Sequence, residues 1–214
     1  MGTLKHTMTQ LSPAYDNKIP RKYCARTIEH KMENKKALQE QLGWPVEPKQ
    51  PILCISTGMT DALGGELMEQ VLDGVLELPV ALLIRGRGSS KYGEFFTKLA
   101  KNNGHRIKII PDDEVNLRRM LAGADIALFF STQQDPDELE NALRYGVIPV
   151  AMPADVLEDY NPVQESGGAF IYQEATPWQC FASLVRALET FKFPYDWKTI
   201  QRNAMEAMEE RDGK

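Results

Sequence analysis

IALFFSTQQDPDELENALRYGVIPV, residues Ile126 to Val150, reads as two buried strands joined through a helix. Ile126 to Phe130 and Val147 to Ala151 are short apolar runs bounded by turn residues, the pattern of parallel strands covered on both faces. The helix between them has a defined start. Asp135 can accept a hydrogen bond from an unpaired N–H of the first turn, and Pro136 suits the first helical position, where its missing N–H costs nothing. Leu139, Ala142 and Leu143 then form one apolar stripe, and Gly146 ends the helix. In an open α/β sheet ligands bind beyond the carboxyl ends of the strands, so Ser131 to Glu138 is where chemistry is expected.

Strand and helix signals alternate outward from this unit. Ile52 to Ser56 and Pro79 to Ile84 read as strands, with a helical face of Leu63, Leu67, Val71, Leu72 and Val75 between them. Tyr92 to Asn103 as a helix, Ile107 to Ile110 as a strand and Val115 to Leu121 as a short helix lead into the central unit. A strand from Ala169 to Tyr172, a helix from Trp178 to Phe191 and a last helix from Trp197 to about Met208 follow it. Ile200, Ala204, Ala207 and Met208 mark one side of the last helix. At the other end, residues 1 to 10 are expected to form a disordered lead. Pro13 and Pro20 exclude regular helix from Leu11 to Tyr23, and Thr27 to Leu42 reads as a helix of alternating charges stopped by Gly43. The alternation predicts parallel βαβ units with right-handed crossovers. Residues 11 to 214 are therefore expected to form one Rossmann-like domain, a doubly wound parallel sheet with helices on both faces.

Composition narrows the function classes. With 43% apolar and 26% charged residues, the 214-residue chain is of ordinary globular type, and no linker divides it. A net charge of −5 argues against nucleic acid as a main partner, because phosphate-backbone binding needs a clustered excess of Lys and Arg. No run approaches the roughly 20 apolar residues of a membrane span, and MGTLKHTMTQ has no signal-peptide core, so no membrane partner is expected. Cys24, Cys54 and Cys180 are far apart and odd in number, which suggests buried thiols in a reducing compartment, by default the cytoplasm. His6, His30 and His105 show no ligand spacing, and neither a metal nor another cofactor is expected.

The segments SPAYDNKIPRKY, ENKKALQEQLGWP, MTDALGG, LAGADIALFFS and ALRYGVIPV stand in the order and rough spacing found in bacterial glycogen synthases and plant starch synthases. Over about residues 11 to 208 the chain resembles the carboxy-terminal, nucleotide-sugar half of these GT-B glycosyltransferases. The resemblance implies glucosyl transfer from ADP-glucose to an α-1,4-glucan, in a cleft between two Rossmann-like domains. It also implies a partner, because no counterpart of the amino-terminal half is seen: either a separate amino-terminal GT-B domain or self-association.

The departures from the family pattern are as informative. Where the family has Gly-Arg-Leu and then Gln-Lys-Gly, whose Arg and Lys neutralise the diphosphate, this chain has Thr57, Gly58, Met59 and then Ala62, Leu63, Gly64. Gln133 or Gln134 takes the place of the family's sugar-contacting Glu, and Asp112 that of a Tyr near the adenine. Ala151 to Asp155 replaces a phosphate-binding Thr-Gly-Gly-Leu loop. The resemblance therefore leaves Thr57, Gly58, Arg87, Asp112, Gln133 and Gln134 as vestigial nucleotide-sugar positions, with no catalytic residue. The domain is expected to be inactive alone and to hold a glucan or nucleotide sugar weakly. The alternatives are a non-catalytic binding or regulatory module and a subunit completed by a separate amino-terminal half.

Two further features have competing readings. Arg85 to Lys91, RGRGSSK, could let its glycine backbone approach an anion with Arg87 and Lys91 supplying charge; the favoured reading is a tight turn with Ser89 or Ser90 capping a helix, because capping explains the serines by itself. Its spacing is not that of a Walker motif. Trp178, Phe181, Phe191, Phe193, Tyr195 and Trp197 gather near the last two helices, either as internal packing or as a partner surface.

Overall fold

The computed structural model describes residues 11 to 213, so the expected lead at residues 1 to 10 lies outside the described residues. Among them the chain runs α1 (Lys31–Leu42), β1 (Ile52–Ile55), α2 (Gly65–Leu76), β2 (Ala81–Arg85), α3 (Ser90–Asn102), β3 (Ile107–Ile110), α4 (Glu114–Gly123), β4 (Ile126–Leu128), α5 (Pro136–Arg144), β5 (Ile148–Ala151), β6 (Phe170–Ile171), α6 (Pro177–Phe191) and α7 (Pro194–Asp212). The strands are parallel in the order β3-β2-β1-β4-β5-β6. The chain moves outward from β1 to β3, then returns to pair β4 with β1. That reversal opens a crevice beyond the carboxyl ends of β1 and β4.

Because side chains alternate along a strand, the sheet sorts its apolar residues into two layers. Leu53 and Ile55, Leu82 and Ile84, Ile126 and Leu128, and Ile148 and Val150 face a layer completed by α2, α3, α6 and α7. Ile52 and Cys54, Ala81 and Leu83, and Ala127 and Phe129 face the other, completed by α1, α4 and Leu139 and Ala142 of α5. Leu143 is buried as the stripe predicts, but it joins the first layer, opposite to Ala127 and Phe129. The helix α7 buries Trp197, Ile200, Gln201, Ala204, Met205 and Met208. Ala207, expected on that face, is exposed.

The helix expected from Thr27 begins instead as a 3-10 helix, Ala25–His30, with non-helical backbone at Thr27. Thr27 Oγ1 accepts from the Cys24 N–H at 3.1 Å, the capping bond at the start of that 3-10 helix. The charged α1 that follows is not a solvated helix. Lys31, Asn34, Lys35 and Gln39 are buried. Lys31 Nζ donates to the carbonyls of Leu121 at 2.7 Å and Ala122 at 3.0 Å, satisfying the carboxyl end of α4. Burial pushes its ammonium down to about 7, partly opposed by Asp125.

Lys35 Nζ meets Asp125 Oδ2 at 2.7 Å, and the same oxygen accepts from the Ile52 N–H at 2.8 Å. The extended segment ahead of α1 is also built in. Tyr23 donates to the Tyr145 carbonyl at 2.8 Å, Tyr145 donates to Asp16, and Arg118 lies 3.2 Å from Asp16. Residues that read as an extended, proline-containing segment thus hold the α5–β5 turn. Of the aromatic group, Phe191 packs edge-on against Trp197 with ring centroids 5.1 Å apart, while Trp178, Phe193 and Tyr195 are exposed. Internal packing therefore accounts for part of the group.

Candidate functional site

Beyond the carboxyl ends of β1 and β4 lies a cleft of about 500 Å³ whose lining includes Thr57, Gly58, Arg87, Gln134, Asp135 and Glu138. Four of the six expected positions, Thr57, Gly58, Arg87 and Gln134, are thereby brought together. Asp112 and Gln133 are outside its lining. Asp112 pairs with Arg85 behind the cleft, at 2.6 Å from Nε. Gln133 is exposed and uses its backbone N–H on Ser131 Oγ at 3.0 Å. Gln134 is half-buried, and its Oε1 is enclosed without a hydrogen-bond partner among the described residues.

The cleft wall is made by stitching two loops together. The Met59 N–H donates to the Arg87 carbonyl and the Ser89 N–H to the Met59 carbonyl, each at 3.0 Å. Gly88 sits at φ +129°, and a Cβ there would lie 2.2 Å from the Met59 oxygen, so both the angle and the close approach require glycine. This accounts for a glycine in the RGRGSSK turn without any anion.

The rest of that turn departs from both readings offered by the sequence. Ser89 stands at the start of α3, yet its side chain makes no capping hydrogen bond. Lys91, the other proposed anion ligand, is 3.1 Å from Asp61 Oδ1, and Tyr92 donates to the same oxygen at 2.6 Å. The Tyr92 hydroxyl, then Lys91, hold Asp61 below the usual carboxylate range. A neighbouring depression of about 310 Å³ lies over Tyr92, Phe96 and Ile109 on the other side of the turn.

The helix α5 starts as the sequence predicts, with Asp135 accepting from the Asp137 N–H at 3.1 Å and Pro136 in the first turn. Its acidic residues differ in exposure: Asp135 and Asp137 are exposed, Glu138 and Glu140 half-buried. The Glu138 side chain is only 14% exposed, and its Oε1 lies 3.1 Å from Arg85 Nη1 and 3.8 Å from Arg87 Nη1. Arg85, 11% exposed, also donates to the Ser56 carbonyl at 3.3 Å. Burial pushes the Glu138 carboxyl up, with Arg85 and Arg87 opposing. Arg85 and Glu138 lie within the two stretches where sequence reasoning sought a ligand, but neither was singled out as a site residue. The signal for them was positional: Arg85 closes β2 and Glu138 stands in the first turn of α5, both at the edge where ligands are expected.

Nucleophilic chemistry finds little support. Burial pushes the Cys54 and Cys180 thiols up to about 12, so they stay protonated at neutral pH. Cys24, expected to be buried, is partly exposed, and its Sγ lies 3.5 Å from Thr27 Oγ1. No helix among the described residues is long and apolar enough to cross a membrane. What the cleft offers is hydroxyl and amide groups, one half-exposed guanidinium and two carboxylates.

No family model matches the chain. Sequence comparison finds similarity to the glycogen synthase of Fervidobacterium nodosum, 32% identical over 203 residues, which are 92% of this chain and 41% of that protein. Glycogen synthase 1 of Synechocystis sp. is 30% identical over 217 residues, covering 97% of this chain and 45% of that protein. The chain thus spans less than half the length of the curated relatives it matches. In fold it is similar to the catalytic domain of starch synthase IV from Arabidopsis thaliana bound to ADP and acarbose. The TM-score is 0.76 at 21% identity, over 94% of this chain and 45% of that one.

Proposed function

The chain is a glycogen/starch synthase-like domain with the fold of the carboxy-terminal half of a GT-B glycosyltransferase, and from this we propose that the domain alone transfers no glucose from a nucleotide sugar to a glucan. The observation that carries the reading is electrostatic: the guanidinium groups of Arg85 and Arg87 lie 3.1 Å and 3.8 Å from one carboxylate oxygen, Glu138 Oε1. A leaving nucleotide diphosphate gains negative charge in the transition state. Losing even one positioned donor for that charge costs about 10²-fold in rate. Here Gly58 and Leu63 stand where the resembled family has Arg and Lys, and Lys91 is already bound to Asp61.

In a radiolabelled transfer assay with ADP-glucose or UDP-glucose and glycogen, the domain is expected to give no turnover above background. Turnover that disappears in Gln134→Ala would overturn the reading. Binding should fail in parallel. Calorimetry is expected to give an ADP dissociation constant above about 1 mM, a free energy smaller than about 4 kcal/mol. A micromolar constant would mean that the cleft still holds a diphosphate.

A second reading is favoured by the extent of the match, 41% and 45% of the two relatives' lengths. A GT-B cleft has two walls, and an amino-terminal half on the same or another chain would supply the second. Transfer that appears only when such a half is added would support completion over loss of function. Free, buried Cys54 and Cys180 suit a reducing compartment such as the cytoplasm.

A further inference from the structure

We propose that Glu138 sets the ligand specificity of the cleft: its carboxylate takes the place beside Arg85 and Arg87 that an anionic ligand would occupy, and so closes the cleft to phosphate-bearing ligands. The proposal rests on the preceding reading and names the residue that enforces it.

Three observations carry it. First, the two guanidinium groups converge on one oxygen, Glu138 Oε1, at 3.1 Å and 3.8 Å. Second, Arg85 cannot turn away to meet a ligand. Its Nε is held by Asp112 at 2.6 Å and its Nη1 reaches the Ser56 carbonyl at 3.3 Å, which aims the remaining charge at Glu138. Third, Glu138 is fixed in its turn. It lies in the first turn of α5, whose start is set by Asp135 and Pro136, and the next residue, Leu139, is anchored in the core.

A carboxylate tethered in this way competes at a high effective concentration, on the order of millimolar or above for tethered groups. A free phosphate would have to displace it and leave a largely buried carboxylate without its counter-charge, which is strongly unfavourable. Among the described residues the ion pair of Arg87 is with Glu138, so removing the Glu138 charge releases Arg87 at the cleft rim. Its half-exposed side chain, 54% accessible, can then meet a ligand.

The test is calorimetry with inorganic phosphate at fixed pH and low salt, on wild type, Glu138→Gln and Asp135→Asn. Wild type is expected to show no saturable binding in the millimolar range, and Glu138→Gln to bind at least about tenfold tighter. Asp135→Asn lines the same cleft but has no arginine partner among the described residues, and is expected to gain less. Adding Arg87→Ala to Glu138→Gln should cancel the gain. A folded Glu138→Gln protein that binds phosphate no tighter than wild type overturns the proposal, as does a gain that survives Arg87→Ala. If Glu138→Gln unfolds, Glu138→Ala carries the same comparison. The transfer assay is read separately. No gain and no transfer would sink the role of Glu138 while the inactive reading stands, whereas wild-type transfer would sink that reading whatever phosphate does.

Discussion

Asp125→Ala is expected to destabilise the domain by about 3 to 5 kcal/mol, the cost of breaking a buried ion pair by removing one partner. The Lys35 side chain is 2% exposed and that of Asp125 8%, so the surviving ammonium would find no water to replace the carboxylate. The same substitution strands the Ile52 N–H, which donates to Asp125 Oδ2 at 2.8 Å. Asp125 backbone atoms also join β1 to β4 and β4 to β5, through Asp125 N to the Ile52 carbonyl and Ile148 N to the Asp125 carbonyl, each at 2.9 Å. The effect should appear in thermal melts as a loss of roughly 6 to 20 °C for a domain of this size. Removing both partners together, Lys35→Met with Asp125→Leu, should cost much less, because no buried charge is left alone. A single variant as mild as the double would show that the pair contributes little.

Leu143→Ala is expected to cost about 2 to 5 kcal/mol through lost burial and the cavity left behind. Leu143 is 2% exposed and belongs to the layer that contains Ile148, Val150, Ile200 and Ala204. It therefore ties α5 to β5 and α7. Denaturant titration with an unchanged slope would measure the loss directly. A cost below about 1 kcal/mol would mean that the site collapses around the smaller side chain. Both substitutions act away from the cleft. Fold stability and cleft chemistry are thus separable, and the Glu138 variants can be read without the core variants.

Much of the fold was legible because it is encoded locally. Apolar runs of strand length, Asp135 with Pro136 at the start of α5, and the strand–helix alternation each depend on residues within a few positions of one another. The two-layer core follows from the same period-two pattern. The misjudged details also have local causes. The apolar count placed Ala207 on a buried face, although alanine reads the same inside or out, and Thr27 caps the 3-10 helix that precedes α1 instead of opening α1 itself.

The site was legible only as a neighbourhood. Sequence placed Thr57, Gly58, Arg87 and Gln134 at the carboxyl edge of the sheet, and the cleft contains all four. What their charges do was decided by contacts that no local pattern carries. Arg85 meets Glu138 across 53 residues, Lys35 meets Asp125 across 90, and Tyr145 meets Asp16 across 129. Periodicity tells a chain which face of an element is apolar, because that depends on 3.6 or 2 residues per turn. It does not tell which charged group on one element will lie within 4 Å of which group on another. That depends on strand order and crossover, so the sequence alone determined where a ligand would be sought, and the meeting of Arg85 at the end of β2 with Glu138 at the start of α5 decided that an internal carboxylate sits there.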